Sequence, residues 1–169
     1  MKKIISFFEY KQHLALGLVA VSAGMLSFAY ISQYGFGLDP CALCFYQRKP
    51  YFVVIGLGLL AYAIIGKNKK AALALLWGCV LSLCVGSAIA AFHVGVEQHW
   101  WKGLESCSNY ALPEHATVAD LKKFIMSRSV VQCDVPAFVL FGISMTGYNF
   151  LICTAIAIGT GMLLLGKKN

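Results

Sequence analysis

The chain has 169 residues, of which 59% are hydrophobic and only 12% charged, and it carries a net charge of +7. An ordinary soluble domain carries about 25% charged residues, so this composition argues against a water-soluble globule and for a protein in lipid. The basic excess could suggest nucleic acid, but the positions of the charges along the chain point to membrane topology instead.

The stretches Gln12 to Leu38, Pro50 to Gly66, Ala71 to Val96 and Val135 to Gly166 contain no Asp, Glu, Lys or Arg. A helix crossing the hydrocarbon core needs about 20 mainly apolar residues. Four spans therefore fit, over about 13–33, 45–65, 71–92 and 146–165. The expected fold is an all-α four-transmembrane-helix bundle forming a single integral membrane domain, 1–169. Lys2, Lys3, Lys11, Lys67, Lys69, Lys70, Lys167 and Lys168 fall on one side with only Glu9 against them. The other side holds Arg48, Lys49, Lys102, Lys122, Lys123 and Arg128, balanced by the remaining acids. Excess Lys and Arg in short loops marks the cytoplasm. Both termini are expected inside, with one short periplasmic loop (about 34–44) and one long one (about 93–145) outside.

Span one follows three lysines, as a signal peptide would. Its apolar run is longer than an h-region, and Phe28-Ala29-Tyr30-Ile31 makes a poor cleavage site, so it is read as a retained helix. Tyr30 and Tyr34 suit the interface at its outer end. Gly35 and Gly37 then loosen the chain, and Asp39-Pro40 makes a turn. Cys41 and Cys44 consequently sit at the outer mouth of helix two, where the positive end of the helix dipole lowers a thiol pKa. If the helix starts at Cys41, positions 41, 44 and 48 share a face, although Pro50 could make the preceding residues a separate turn. Arg48 read alone is an interfacial anchor; beside a dithiol it is equally a functional group.

In span three, Ala74, Gly78, Ser82, Gly86 and Ala90 recur every four residues, a stripe that lets membrane helices approach closely. His93 extends this face at the outer end and should point into the bundle. In the long loop, Thr117-Val118-Ala119-Asp120 has capping-box spacing and opens a short amphipathic helix to about Arg128, suited to lying on headgroups.

Seven cysteines divide into two sets. Cys79, Cys84 and Cys153 lie inside spans, where cysteine packs as a small hydrophobe. Cys41, Cys44, Cys107 and Cys133 lie in the outward loops and permit three pairings, the local one being Cys41–Cys44 with Cys107–Cys133. Three uses compete. Structural disulfides suit Cys107–Cys133, but a CxxC closes too small a loop for much entropic benefit. Zinc binding ranks lowest, because one close pair and two separated cysteines make an incomplete finger pattern. A thiol–disulfide relay uses both pairs and, with no nicotinamide or flavin motif in view, would deliver electrons to a membrane quinone.

Pro40-Cys41-Ala42-Leu43-Cys44-Phe45-Tyr46-Gln47-Arg48-Lys49-Pro50-Tyr51 resembles the signature of the disulfide bond formation protein B (DsbB) family. So do Phe92-His93-Val94-Gly95-Val96-Glu97, Trp100-Trp101-Lys102-Gly103 with Cys107, and Gln132-Cys133-Asp134 followed by Phe141 to Met145 and Asn149. The resemblance implies a bacterial inner-membrane oxidoreductase with its active cysteines on the periplasmic side. Cys107–Cys133 would face a DsbA-like thiol oxidase, attacked at Cys107. Cys133 would pass reduction to Cys41, and Cys44, as thiolate, would donate to a quinone (ubiquinone or menaquinone) positioned by Arg48 and less surely by His93. Such a partner has a potential of about −120 mV, which a quinone can exceed. A vitamin K epoxide reductase-like enzyme also has four helices and a CxxC, but carries that motif late in the chain. A non-enzymatic membrane protein with structural disulfides is the other alternative.

Overall fold

The computed structural model describes residues 2–104, 107 and 132–166. Within them lie four helices: α1 (Lys2–Gly35), α2 (Ala42–Ile64), α3 (Lys69–Glu97) and α4 (Met145–Leu165). Three are long and apolar enough to cross a membrane, over Tyr10–Gly35, Lys69–Glu97 and Met145–Leu165. The helix α2 is not among them. Its second turn carries Gln47, Arg48 and Lys49, which dilute the apolar run that follows.

Side-chain caps set where the helices begin. Asn68 Oδ1 accepts the Ala71 N–H at 3.1 Å to start α3, and Ser144 Oγ accepts the Gly147 N–H at 3.0 Å to start α4. Between the helices a buried core forms from Ala15 and Leu18 of α1, Tyr51 and Val54 of α2, Leu76 and Leu83 of α3, and Cys153 and Ala157 of α4. Phe28, Ile31, Phe52, Leu81, Leu151 and Leu165 are exposed on the outside of the bundle, as expected of helices that are apolar all round.

The small-residue stripe of α3 packs on α2. A Cβ on Gly86 would lie 3.3 Å from Pro50, and Ser82 Oγ donates to the Pro50 carbonyl at 3.1 Å. No separate turn precedes Pro50, because α2 runs through it unbroken. Cys79 is buried with its thiol directed at the Val54 carbonyl, while Cys84 is exposed.

Three further features differ from or extend the expectations. The helix α3 does not stop near 92 but continues to Glu97, so His93 and Glu97 ride on a rigid element. A two-residue antiparallel ladder, β1 (Val139–Leu140) with β2 (Ile143–Ser144), precedes α4. Its turn residues Phe141 and Gly142 both have positive φ, 50° and 79°, the conformation that matches the twist of a tight hairpin. At the opposite end of α4, Lys11 is buried and its Nζ donates to the Leu163 carbonyl, tying α1 to α4. The helix expected from Thr117 to Arg128 lies outside the described residues.

Candidate functional site

Cys41 is the N-cap of α2, with extended backbone, and its sulfur accepts the Cys44 N–H at 3.4 Å. The two sulfurs of the CxxC are 3.2 Å apart, as an unbonded dithiol. This is a capping position normally held by an oxygen; a sulfur placed there meets the unpaired amides and the dipole of the helix N-terminus.

His93 reaches the same sulfur from α3. Its Nε2 is 3.5 Å from Cys41 Sγ and 3.2 Å from the carbonyl oxygen of Cys133, with Glu97 Oε1 at 3.9 Å. Its Nδ1 is 2.7 Å from Gln47 Nε2 and 3.3 Å from Thr146 Oγ1. The ring is 2% exposed, so these contacts are made away from bulk water. Glu97 is fixed in turn by Ser144 Oγ, which donates to its carboxylate at 2.5 Å.

The surroundings separate the two thiols. The hydrogen bond from the Cys44 side chain, then the contact with His93, hold Cys41 well below the ordinary thiol range although burial opposes them. The same interaction with Cys41, together with burial, pushes Cys44 upward. In the dithiol form these contacts favour charge on Cys41 over Cys44. The expectation for turnover placed a thiolate on Cys44. Both assignments hold if they belong to different states, since bonding Cys41 to another sulfur removes the proton-sharing partner of Cys44.

Cys107 and Cys133 form a disulfide. They pack with Cys41, Leu43 and Val96 in one buried cluster, so the two cysteine pairs share a single apolar environment.

Arg48 leaves the dithiol side of α2 and turns toward α1. Its Nη1 donates to Gln33 Oε1 at 2.7 Å and its Nη2 to the Ala29 carbonyl at 3.5 Å, and the guanidinium lies about 5 Å from the Tyr30 and Phe45 rings. Beside it is a cavity of about 400 Å³, walled by α1 (Leu26, Ala29), α2 (Cys44, Arg48) and α4 (Asn149, Ile152). Its size is that of a small-molecule pocket. An apolar enclosure with one buried guanidinium and a reactive sulfur in its wall would suit a flat apolar ring bearing a carbonyl oxygen. Cys41, Cys44 and His93 also bring two sulfurs and a ring nitrogen within 4.8 Å of one another, a set of atoms able to hold a soft metal ion.

All six candidate site residues are thus described, and Cys41, Cys44, Cys133 and His93 converge directly. Four partners were not singled out from the sequence. Gln33, Gln47 and Asn149 are amides, and Glu97 an acid, that line the cavity or hold a residue that does. A polar residue in an apolar span is a signal of function, and Asn149 carried that signal.

Comparison with known proteins follows the same lines. The family model described as Disulfide bond formation protein DsbB matches residues 11–163. An uncharacterized protein of Rickettsia prowazekii is 34% identical over 157 residues, covering 92% of this chain and 89% of the relative. Disulfide bond formation protein B of Aromatoleum aromaticum is 26% identical, covering 96% of this chain and 98% of its own length. The protein of the same name from Cupriavidus pinatubonensis is 29% identical, with 82% and 86% covered.

Proposed function

The chain belongs to the DsbB family of membrane disulfide-bond-forming proteins, and from that premise we propose that it reoxidises a periplasmic DsbA-like thiol oxidase and passes the electrons to membrane quinone. In this reading α2 is the fourth span, both termini are cytoplasmic, and the cysteines face the periplasm of a bacterial inner membrane.

The observation that carries the reading is the packing of the two cysteine pairs in one buried cluster, with Cys133 and Cys41 both meeting Nε2 of His93. A relay needs its two dithiols close enough to exchange without either loop crossing the membrane surface. The partner's dithiol attacks Cys107, and resolution closes the partner's disulfide while Cys107 and Cys133 become thiols. With Cys41 and Cys44 in their disulfide form, Cys133 then attacks Cys41, breaking the Cys41–Cys44 bond, and Cys44 leaves as the thiol beside the cavity. Attack by Cys107 on the Cys41–Cys133 bridge restores Cys107–Cys133 and leaves Cys41 and Cys44 reduced. Two electrons and two protons have then moved from the partner to this pair. A quinone, when bound in the cavity, would supply the two-electron, two-proton acceptor needed to return the pair to its disulfide. Arg48, held by Gln33 and the Ala29 carbonyl, offers a fixed positive charge at the cavity wall.

The test is quinone-dependent oxidation of a reduced thioredoxin-fold dithiol protein by membranes carrying this chain. Cys44→Ser should abolish it, because Cys41 then has no disulfide partner for Cys133 to displace. Wild-type oxidation rates in that variant would overturn the relay.

A further inference from the structure

A chain of side-chain hydrogen bonds runs across three helices behind the dithiol. The Tyr51 hydroxyl donates to Asn149 Oδ1 at 2.5 Å, and Asn149 Nδ2 donates to Gln47 Oε1 at 2.5 Å. Gln47 Nε2 then faces His93 Nδ1 at 2.7 Å, and His93 Nε2 faces the Cys133 carbonyl and Cys41 Sγ. Each amide in such a chain could in principle be turned over, reversing every donor and acceptor. One end settles the direction. The Cys133 carbonyl can only accept, so His93 Nε2 must carry the hydrogen. Nδ1 of the neutral ring is then an acceptor, which requires the Gln47 amide nitrogen to face it and the Gln47 oxygen to face Asn149. The orientation found satisfies every member. With a neutral ring, the reversed one would set two lone pairs against each other at Cys133.

From this we infer that Gln47 and Asn149 are positioning residues that lock His93 in its Nε2–H tautomer, so that the ring gives a hydrogen bond to the Cys41 sulfur and withholds a lone pair from metal ions. The consequence bears on the three-atom set of Cys41, Cys44 and His93. A histidine that ligates a metal through one nitrogen donates from the other to a carboxylate or carbonyl. Here the second nitrogen faces a donor, which is the opposite polarity. Two thiols and an imidazole within 4.8 Å of one another would otherwise make a soft-metal trap at a site that must cycle through a dithiol. The amide chain acts against that.

The inference stands on the hydrogen-bond geometry and not on the proposed turnover. The test therefore uses neither quinone nor partner protein. Full-length protein in lipid nanodiscs is reduced, freed of reductant, and titrated with Zn²⁺ against a chelating dye, and with Co²⁺ to read the absorption of a tetrahedral thiolate site. Gln47→Glu places a carboxylate against Nδ1, which then carries the hydrogen and frees Nε2 for the metal. Asn149→Leu leaves the Gln47 amide able to turn, a weaker form of the same change that keeps the test alive if Gln47→Glu does not fold. Zn²⁺ affinity should rise at least tenfold in Gln47→Glu and by less in Asn149→Leu, with Co²⁺ thiolate bands appearing in both. The gain should vanish when His93→Ala is added. Equal Zn²⁺ affinity in wild type and both variants would overturn the inference, as would a gain that survives the loss of His93.

Discussion

Cys41 and Cys133 meet through a single atom: Nε2 of His93 lies 3.5 Å from the sulfur of the first and 3.2 Å from the carbonyl oxygen of the second. In the proposed relay the ring thus steadies the sulfur to be attacked and the backbone of the residue that attacks it. A hydrogen bond to a charged group contributes about 1.5–3 kcal/mol, or roughly 10–100-fold in rate. His93→Ala should slow exchange from Cys133 to Cys41 by about that factor, and His93→Gln, which keeps an N–H donor, should recover part of it. Rapid acid quenching with thiol trapping measures the step; an unchanged rate in His93→Ala would remove the ring from it.

Arg48 is 9% exposed and held at 2.7 Å by Gln33, so its charge is fixed beside the cavity. Arg48→Ala should raise the quinone KM by about tenfold or more, on the scale of one lost charge-assisted hydrogen bond, with a smaller effect on the KM for the dithiol partner. Arg48→Lys should not restore it, because an ammonium cannot span Gln33 and the Ala29 carbonyl while also facing the cavity. Unaltered quinone kinetics in Arg48→Ala would return this residue to the role of an interfacial anchor.

The lowered pKa of Cys41 has a defined sign. An acid whose folded value is depressed stabilises the folded dithiol form at pH above the ordinary thiol value of about 8.5, and that contribution is lost as pH falls through the depressed value. Alkylation of reduced Cys41 should therefore stay fast well below pH ~8.5. Because the Cys44 side chain is the foremost cause, Cys44→Ala should move the midpoint upward. A wild-type midpoint at or above the ordinary value would contradict the contacts described. A stabilised dithiol also makes the corresponding disulfide more oxidising.

Gly95 is where the chain allows a ring to lie on backbone. Trp101 stacks over Phe92 with centroids 5.8 Å apart, and its Nε1 donates to the Phe92 carbonyl at 3.0 Å. A Cβ at position 95 would overlap the Trp101 indole. Gly95→Ala should displace that ring and cost about 1–3 kcal/mol, the range for overpacking. Thermal unfolding together with tryptophan emission checks it, and wild-type values for both would show that the ring does not rest there.

The reactive part of this site was legible because its residues are close in sequence or chemically conspicuous. A CxxC after proline announces itself, and His93 could be placed on an inward face by counting along α3. The supporting part was not legible, for a physical reason. Gln47 stands within the recognised motif, yet its role depends on Asn149, 102 positions away, and only the packing of α2 against α4 brings them together. Glu97 fell in what was expected to be loop, because the hydropathy of a span does not reveal how far its helix continues beyond the lipid. The hairpin before α4 escaped for another reason. Two residues per strand are too few to show alternation, and Phe141-Gly142 is not one of the dipeptides that mark such turns. The low hydropathy of α2 has the same origin as its chemistry, since the residues that dilute it include Gln47 and Arg48.

The Lys11 contact has a consequence at the far end of the molecule. It pins α1 to α4 near the last turn of α4, whereas toward the cysteines residues of the same two helices border the cavity. The pair is tied at one end and lines a cavity at the other. Under the proposed function, a lipid-dissolved acceptor would enter sideways from among the acyl chains, while a water-borne partner would approach the Cys107–Cys133 side. Two reactants that never share a solvent would then have separate doors to one set of sulfurs.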